Sequence, residues 1–362
     1  MLPSAPIAPT VRGRGAKSNR TGRFETAQRD DFDDGWASDD IEPVRLVTTV
    51  TPEKAKVIIT RNDSPDVGFS ASINPYRGCE HGCIYCYARP AHAYMGLSPG
   101  LDFESRLFFK PHAAELLERE LSRPRYTPQV IHIGGNTDPY QPQERRLRIT
   151  RQVIEVLERF NHPFSVISKS NLILRDLDLL ASMAQRHLVR VAISITTLDR
   201  KLARSMEPRA ATPERRLEAL RRLSQAGVPS VVMFAPCIPG LNDHEMESVL
   251  KSAADAGAVG AGYVSLRLPM EIADLFQEWL STDQPDRAAR VMSLVRQMRG
   301  GKAYDSQWGK RMKGEGPIAA ITSRRFAAAK ARYGLADKLP PLDLSQFRIP
   351  VAPGGQIDLF SA

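Results

Sequence analysis

An α/β fold built on a parallel sheet follows from two observations. From about residue 55 to residue 298, six short β-branched runs alternate with helical patterns, and each helical pattern repeats its apolar residues at intervals of three and four. Alternation this regular builds right-handed strand–helix units around a parallel sheet. With 42% hydrophobic residues in 362, the chain can bury a sizeable core, and its length suits one large domain with tails or two small ones.

Taken in order, the first 45 residues read as an unfolded arm. Arg12, Arg14, Lys17, Arg20 and Arg23 stand among Gly, Pro and Ser without an acidic residue, and an acidic run from Asp30 to Glu42 follows. Such a segment holds too little apolar surface to offset its ordering entropy. It is either a flexible tail or an arm that contacts phosphates or folds over the core. The strand candidates are then Ser70–Asn74, Gln129–Gly134, Phe164–Ser168, Val189–Ile195, Ser230–Ala235 and Gly262–Leu268, with helical patterns at Arg146–Phe160, Arg175–His187, Pro213–Ala226 and His244–Ala256. Thr212 is placed to cap the third of these helices, Pro213 suits its first turn, and Gly227 stops it.

Beyond Met298 the pattern changes. Nine basic residues face only Asp305 and Glu315 between Arg299 and Arg332, interleaved with Tyr304, Trp308 and Phe326. That mixture suits a nucleic-acid backbone and unstacked bases, or a helical cap across the core. From residue 338 to residue 362 the prolines and glycines leave no apolar periodicity, and a flexible tail is expected. The domain plan is therefore an arm (1–45), a core (55–298), a basic aromatic-containing extension (299–337) and a tail (338–362).

Four cysteines occur, three of them in CEHGCIYCYARP as Cys79, Cys83 and Cys86. Soft thiolates at this density point to iron and sulfide, and three of them leave one iron without a protein ligand. A zinc site with His81, His92 or Cys237 as fourth ligand is the alternative, although no second ligand pair is present. A disulfide framework does not fit so few cysteines. Neither a signal peptide nor a membrane-length apolar run is present, so a reducing cytoplasm is expected. The formal net charge of +9 favours an anionic partner, nucleic acid first.

The CxxxCxxC spacing, with Tyr85 before its third cysteine, resembles the signature of the radical S-adenosylmethionine (radical SAM) superfamily. That resemblance implies a partial (β/α)6 barrel with functional groups at the carboxyl ends of its strands, as in full barrels. It also implies a [4Fe-4S] cluster on Cys79, Cys83 and Cys86. Reductive cleavage of SAM there would give a 5′-deoxyadenosyl radical that abstracts hydrogen from the substrate, with the cofactor carrying the hard chemistry.

In IHIGGNTDPYQPQE, a strand runs into glycines that let a ligand approach the backbone closely. The resemblance implies that Gly134 and Gly135 receive the SAM amino group, with Asn136, Thr137 and Asp138 at the rim. It further implies Ser194 near the ribose and Ser168 or Lys169 near the carboxylate. Capping of strand ends and a tight turn are the structural alternatives.

NPYRGCEHGCIYCYARP with NTDPYQPQE is similar, more narrowly, to the branch that holds spore photoproduct lyase and its DNA repair photolyase-like relatives, over roughly Ile73–Leu268. Tyr85 and Tyr87 match tyrosines that relay a hydrogen atom in that lyase. The lyase's hydrogen-donating cysteine has no counterpart in GGNTD, which leaves Cys237 as the substitute donor or as buried packing. The expectation is thus a radical SAM enzyme of DNA repair or modification, served by a reductase or flavodoxin-type electron donor. Its rival is a non-catalytic nucleic-acid-binding protein with structural zinc. Finally, Gln356, Ile357, Asp358, Leu359 and Phe360 resemble the pentapeptide that docks bacterial repair proteins on the replication sliding clamp, where Leu359 and Phe360 would fill an apolar pocket.

Overall fold

The computed structural model describes residues 11, 13–27 and 46–350. Six parallel strands form its centre: β1 (Ala71–Ile73), β2 (Ile131–Ile133), β3 (Phe164–Ser168), β4 (Val189–Ser194), β5 (Ser230–Cys237) and β6 (Gly260–Ser265). They lie side by side in chain order, and Ile59–Arg61 adds an antiparallel edge beside β1. β6 does not pair with that edge, so the barrel stays open, as expected. All six strand candidates are present. The last begins earlier than its sequence implies, because Gly260 and Gly262 disguise the strand. Gly262 is a glycine for a packing reason, since a Cβ there would stand 2.6 Å from the Met233 sulfur on β5.

The helices are α1 (Ala113–Leu121), α2 (Ile149–Arg159), α3 (Leu177–Gln185), α4 (Pro213–Gln225) and α5 (Met246–Asp255), followed by α6 (Ile272–Asp283), α7 (Pro285–Gln297) and α8 (Gly316–Arg332). The Thr212 hydroxyl accepts from the Arg215 N–H and caps α4, and Gly227 takes a φ of +73° after it. Val166, Val191, Val232 and Phe234 bury one face of the sheet against Leu157, Leu180, Leu220 and Leu250 of the helices. A second apolar group joins Phe276 and Trp279 of α6 and Val291 of α7 to Cys83, Ile84 and Tyr85. The late helices thus support the cysteine loop.

The terminal segments add what composition did not show. For residues 13–27 the second alternative holds, and the segment folds over the core against the cysteine loop and α6. The tail expectation is corrected for residues 338–350. There the chain crosses the amino ends of the strands: Ala336 donates to the Val259 carbonyl at 3.0 Å, Asp343 to His187 at 3.0 Å and Arg348 to Phe160 at 3.0 Å. Phe347 inserts among Tyr126, Phe160 and His162. A single aromatic anchor carries this docking, and no periodicity announces one residue. The Gln356–Phe360 peptide lies outside the described residues.

The basic extension is a helical cap in part, with α8 placing Phe326 against Tyr263 of β6 at 4.6 Å between ring centroids. Its preceding loop ties β6 to the turn before β1. Ser265 donates its N–H to the Met312 carbonyl at 2.8 Å, and Asp66 accepts the Gly309 N–H at 2.7 Å and the Arg311 guanidinium.

Candidate active site at the cysteine loop

The three cysteines lie on one loop after β1, Cys79 and Cys83 buried and Cys86 half-buried. Gly78 and Gly82 take φ of +72° and +68°, conformations that fold the loop back on itself. A fully buried guanidinium holds the result. Arg89 donates to the Cys83 carbonyl at 2.9 Å, to Pro99 and Gly100 at 3.0 and 2.9 Å and to Gly82 at 3.1 Å, and it pairs with Glu104. One side chain thus ties four interior carbonyls together. Neither Arg89 nor Glu104 was picked out from sequence. The arginine's position three residues after the last cysteine was the only signal available.

Burial pushes all three thiols up, Cys79 further through Asp138 and the neighbouring cysteines and Cys83 through Glu207, while Lys169 opposes the rise at Cys83 and Cys86. Lys169 is the cation common to Cys83 and Cys86, joined by Arg216 at the first and Arg89 at the second. None of the fourth ligands considered for zinc joins them. His81 Nδ1 stands 3.3 Å from Asp138 without aligned hydrogen-bond geometry, and His92 Nε2 engages the Arg106 carbonyl at 2.9 Å. Cys237 is perturbed by burial and then by Asp243, Arg325 and Glu247, on the helix side of β5, which raise its thiol to about 12 overall. Three soft thiols without a fourth partner fit a cluster with one open iron.

The other sequence-predicted residues gather at the adjacent strand ends. Gly134 after β2 has a φ of +96°, and a Cβ there would meet Pro139 at 2.8 Å and the Ile167 carbonyl at 3.0 Å, so the chain geometry itself requires glycine. At Gly135 a Cβ would make ordinary contacts, with Phe69 and Ser72 at 3.8 Å and the Asn74 side chain at 3.9 Å, so the position tolerates a small side chain. Asn136 is exposed at the rim, its N–H held by the Asn74 side chain at 2.8 Å. Thr137 is buried, and its hydroxyl reaches the Tyr76 carbonyl at 3.2 Å.

Asp138 is an organiser. It accepts from the Ser168 hydroxyl at 2.7 Å, the Lys169 N–H at 2.7 Å and the Tyr140 N–H at 2.9 Å, binding the β2 loop to the end of β3. Burial opposes its charge, yet His81 and these donors outweigh burial and hold it at about 2. Lys169 extends its ammonium to Ser194 Oγ at 2.8 Å, with the Tyr85 ring 5.7 Å away.

The two tyrosines differ. Tyr85 is buried and gives its hydroxyl to Glu207, which also accepts from Thr196 at 2.6 Å and pairs with buried Arg216. Burial works against the Glu207 charge, but Arg216 and then Lys169 keep it at about 2. Burial and Glu207 in turn push the Tyr85 phenol far up, so it stays protonated. Tyr87 is half-exposed, donates to the Gly135 carbonyl and lies under the Arg267 guanidinium at 4.8 Å. Arg267 Nε is buried with no partner among the described residues. Tyr87 and Arg267 face the opening, whereas Tyr85 is locked behind the loop.

A family model described as the radical SAM superfamily matches residues 73–253. An uncharacterised protein of Mycobacterium tuberculosis is 36% identical over 230 residues, covering 63% of this chain and 68% of that one. An uncharacterised protein of Methanocaldococcus jannaschii is 28% identical over 192 residues, or 53% and 69%. Among solved structures, spore photoproduct lyase complexed with a dinucleoside spore photoproduct superposes with a TM-score of 0.56 at 12% identity, covering 78% of each chain. A variant of that lyase with bound AdoMet and the same lesion gives 0.55 at 13%, again over 78% of each. At such identity the likeness establishes the fold.

Proposed function

The chain belongs to the radical SAM superfamily, and from that premise we propose that it abstracts hydrogen from a nucleic-acid substrate in DNA repair or modification, with Cys79, Cys83 and Cys86 as the ligands of its cluster. Membership makes it a radical SAM enzyme whose cofactors are a [4Fe-4S] cluster and SAM. When bound, these supply a carbon radical; the protein's share is to place and shield it.

The observation that carries the reading is that Cys79, Cys83 and Cys86 on one loop lie near Lys169 and Ser194 at neighbouring strand ends. Lys169 is the cation for the SAM carboxylate and Ser194 a hydroxyl for the ribose. Gly135 leaves its backbone open to the amino group, and Asp138 with Ser168 fixes the loop that presents it. Tyr87 is the tyrosine placed to meet a substrate, while Tyr85 positions the loop through Glu207. The nucleic-acid part is supported by the net charge of +9 and by the groups of the basic extension. Arg267 lies over the exposed Tyr87 ring, and Trp308 is 55% exposed on the basic loop. Phosphates and unstacked bases need such groups.

We further propose a flavodoxin-type donor, a cytoplasmic setting and docking of Gln356–Phe360 on the sliding clamp. No helix among the described residues is long and apolar enough to cross a membrane. The last described residues leave the core beside Phe160, at the face opposite the cysteines, so a partner there would not obstruct the opening.

The test is anaerobic reconstitution followed by iron and sulfide assay, then SAM and a reductant with and without DNA oligonucleotides. Formation of 5′-deoxyadenosine, accelerated by DNA, is expected, and Lys169→Met should weaken SAM binding by about 10- to 100-fold through the lost charged hydrogen bond. Tight zinc with no SAM cleavage would return the protein to the structural-zinc alternative, and cleavage indifferent to DNA would remove the nucleic-acid substrate.

A further inference from the structure

We infer that residues 13–20 form a wall of the cluster site, clamped by Glu104, and that Glu104 is a positioning residue acting on the cysteine loop through Arg89. The inference rests on the cluster assignment above, but its evidence is separate. Glu104 is fully buried, and both of its oxygens are engaged: Oε1 accepts the Ala16 N–H at 2.8 Å and pairs with Arg89, and Oε2 accepts the Gly15 N–H at 2.9 Å and lies so close to Gly82 that a Cβ there would meet it at 2.6 Å. The Arg14 guanidinium closes the clamp, donating to the Glu104 carbonyl at 2.6 Å, the Leu46 carbonyl at 2.9 Å and the Thr48 hydroxyl at 2.8 Å.

Contact with the loop is direct. A Cβ on Gly15 would fall 1.8 Å from the Gly82 carbonyl oxygen and 3.3 Å from the Ile84 nitrogen, so the two backbones touch between Cys79 and Cys83 where no larger residue fits. Ala16 packs in the same apolar group as Cys83, Ile84 and Tyr85. A second contact follows the same plan, since a Cβ on Gly100 would meet the Ser18 carbonyl at 2.3 Å. Beyond it, Lys17 pairs with Asp283 at 2.7 Å and the Ser18 hydroxyl reaches Glu278 at 2.7 Å, both on α6.

One carboxylate therefore serves two elements. It neutralises the guanidinium that organises the loop and takes the two N–H groups that seat the arm. Lifting the arm leaves Glu104 with unmade hydrogen bonds in a buried place and admits water to the Gly82–Cys83 backbone. Solvent exposure is a main determinant of an iron–sulfur potential. Water stabilises the more highly charged reduced cluster, so the potential moves upward and oxygen gains access.

The test uses the full chain carrying Gly15→Val, which forces the arm off Gly82 without touching a cysteine. Trypsin cleavage after Arg14 and Lys17 should become about tenfold faster, the effect of losing one hydrogen bond's worth of docking. Iron and sulfide should still load, with a midpoint potential more positive than that of the unmodified protein and a cluster lifetime in air shortened about threefold or more. Ser18→Ala, which loosens only the α6 contact, should leave the potential unchanged. Unaltered proteolysis, an unaltered potential and air lifetime once the arm is cut, or an equal shift in Ser18→Ala would each overturn the inference. If Gly15→Val fails to fold, Glu104→Gln with the same readouts decides. Unmodified protein that takes up no iron would instead defeat the cluster assignment, an outcome distinct from a loaded cluster indifferent to the arm.

Discussion

At the carboxyl ends of the strands two buried ion pairs hold the cysteine loop, Arg89 with Glu104 and Arg216 with Glu207. At the amino ends the contacts of the last described segment are aromatic and backbone, with Phe347 among Tyr126, Phe160 and His162 and the chain of residues 338–350 hydrogen-bonded across the strand starts. Replacing an ion pair by apolar packing is often neutral or stabilising, so two such pairs around one loop are poorly explained by stability. They are explained by the need to hold carbonyls and thiols in fixed positions. The apolar face has no such demand and closes the core with one phenylalanine.

The largest break in that contrast comes from the cysteines. Replacing Cys79, Cys83 or Cys86 with Ala should each abolish iron binding by reconstituted protein, while Cys237→Ala leaves it intact; equal loss in the Cys237 variant would show that the ionic end is not the whole site. Next is Arg89→Met, which strands Glu104 as an unpaired buried charge. A loss of about 3–5 kcal/mol in chemical denaturation is expected, together with poor iron loading. At the other end, Phe347→Ala should cost about 1–3 kcal/mol, since the ring is only partly buried, with iron content and SAM binding unchanged. A cluster defect in this variant would mean that the two ends are coupled.

Acid sharpens the same comparison. His162 is held at about 4, below its ordinary value, because burial disfavours its charged form. An imidazole depressed in the fold contributes stability above about pH 6.5 that is lost as pH falls toward 4. His92 behind the cysteine loop titrates in the same window, so the difference between the unmodified protein and His162→Gln isolates the share of the amino-end face. Asp138 and Glu207, both near 2, keep their full contribution above the ordinary carboxylate range and lose it as the pH falls through that range toward 2. Thermal melts from pH 7 to 3 should therefore show the His162→Gln variant with a shallower loss between 6.5 and 4. Identical slopes would remove His162 from the account.

The smallest effect on the fold is expected at Gly135→Val, where a Cβ meets neighbours only at ordinary contact distance and the main change should be in SAM titration. Unchanged affinity there would reduce the segment to a turn.

How much was legible depends on the range of the interaction. Periodicity located six strands and four helices because burial on one face imposes it residue by residue. Spacing located Cys79, Cys83 and Cys86 because the three thiols of one loop are near in sequence. Lys169 and Ser194 were reachable as polar residues at strand ends, although only the fold brought them together. The Tyr85–Glu207–Arg216 group and the Arg89–Glu104 pair were not reachable, since their members are joined by burial and not by pattern.

By itself the sequence determined the strand–helix alternation and the cysteine spacing, both consequences of local order along the chain, while the partial barrel followed from the family resemblance that the spacing carries. Tertiary structure alone decided where the composition-poor segments go. Residues 13–27 look unfoldable because they carry almost no apolar surface, yet Gly15 and Gly100 let their backbone touch the loop and Glu104 supplies the acceptors. Residues 338–350 look equally unpacked and are held by Phe347 and carbonyls of distant strand starts. In both cases the stabilising partners lie far away in sequence, and composition counts what a segment brings to the fold, never what the fold offers the segment.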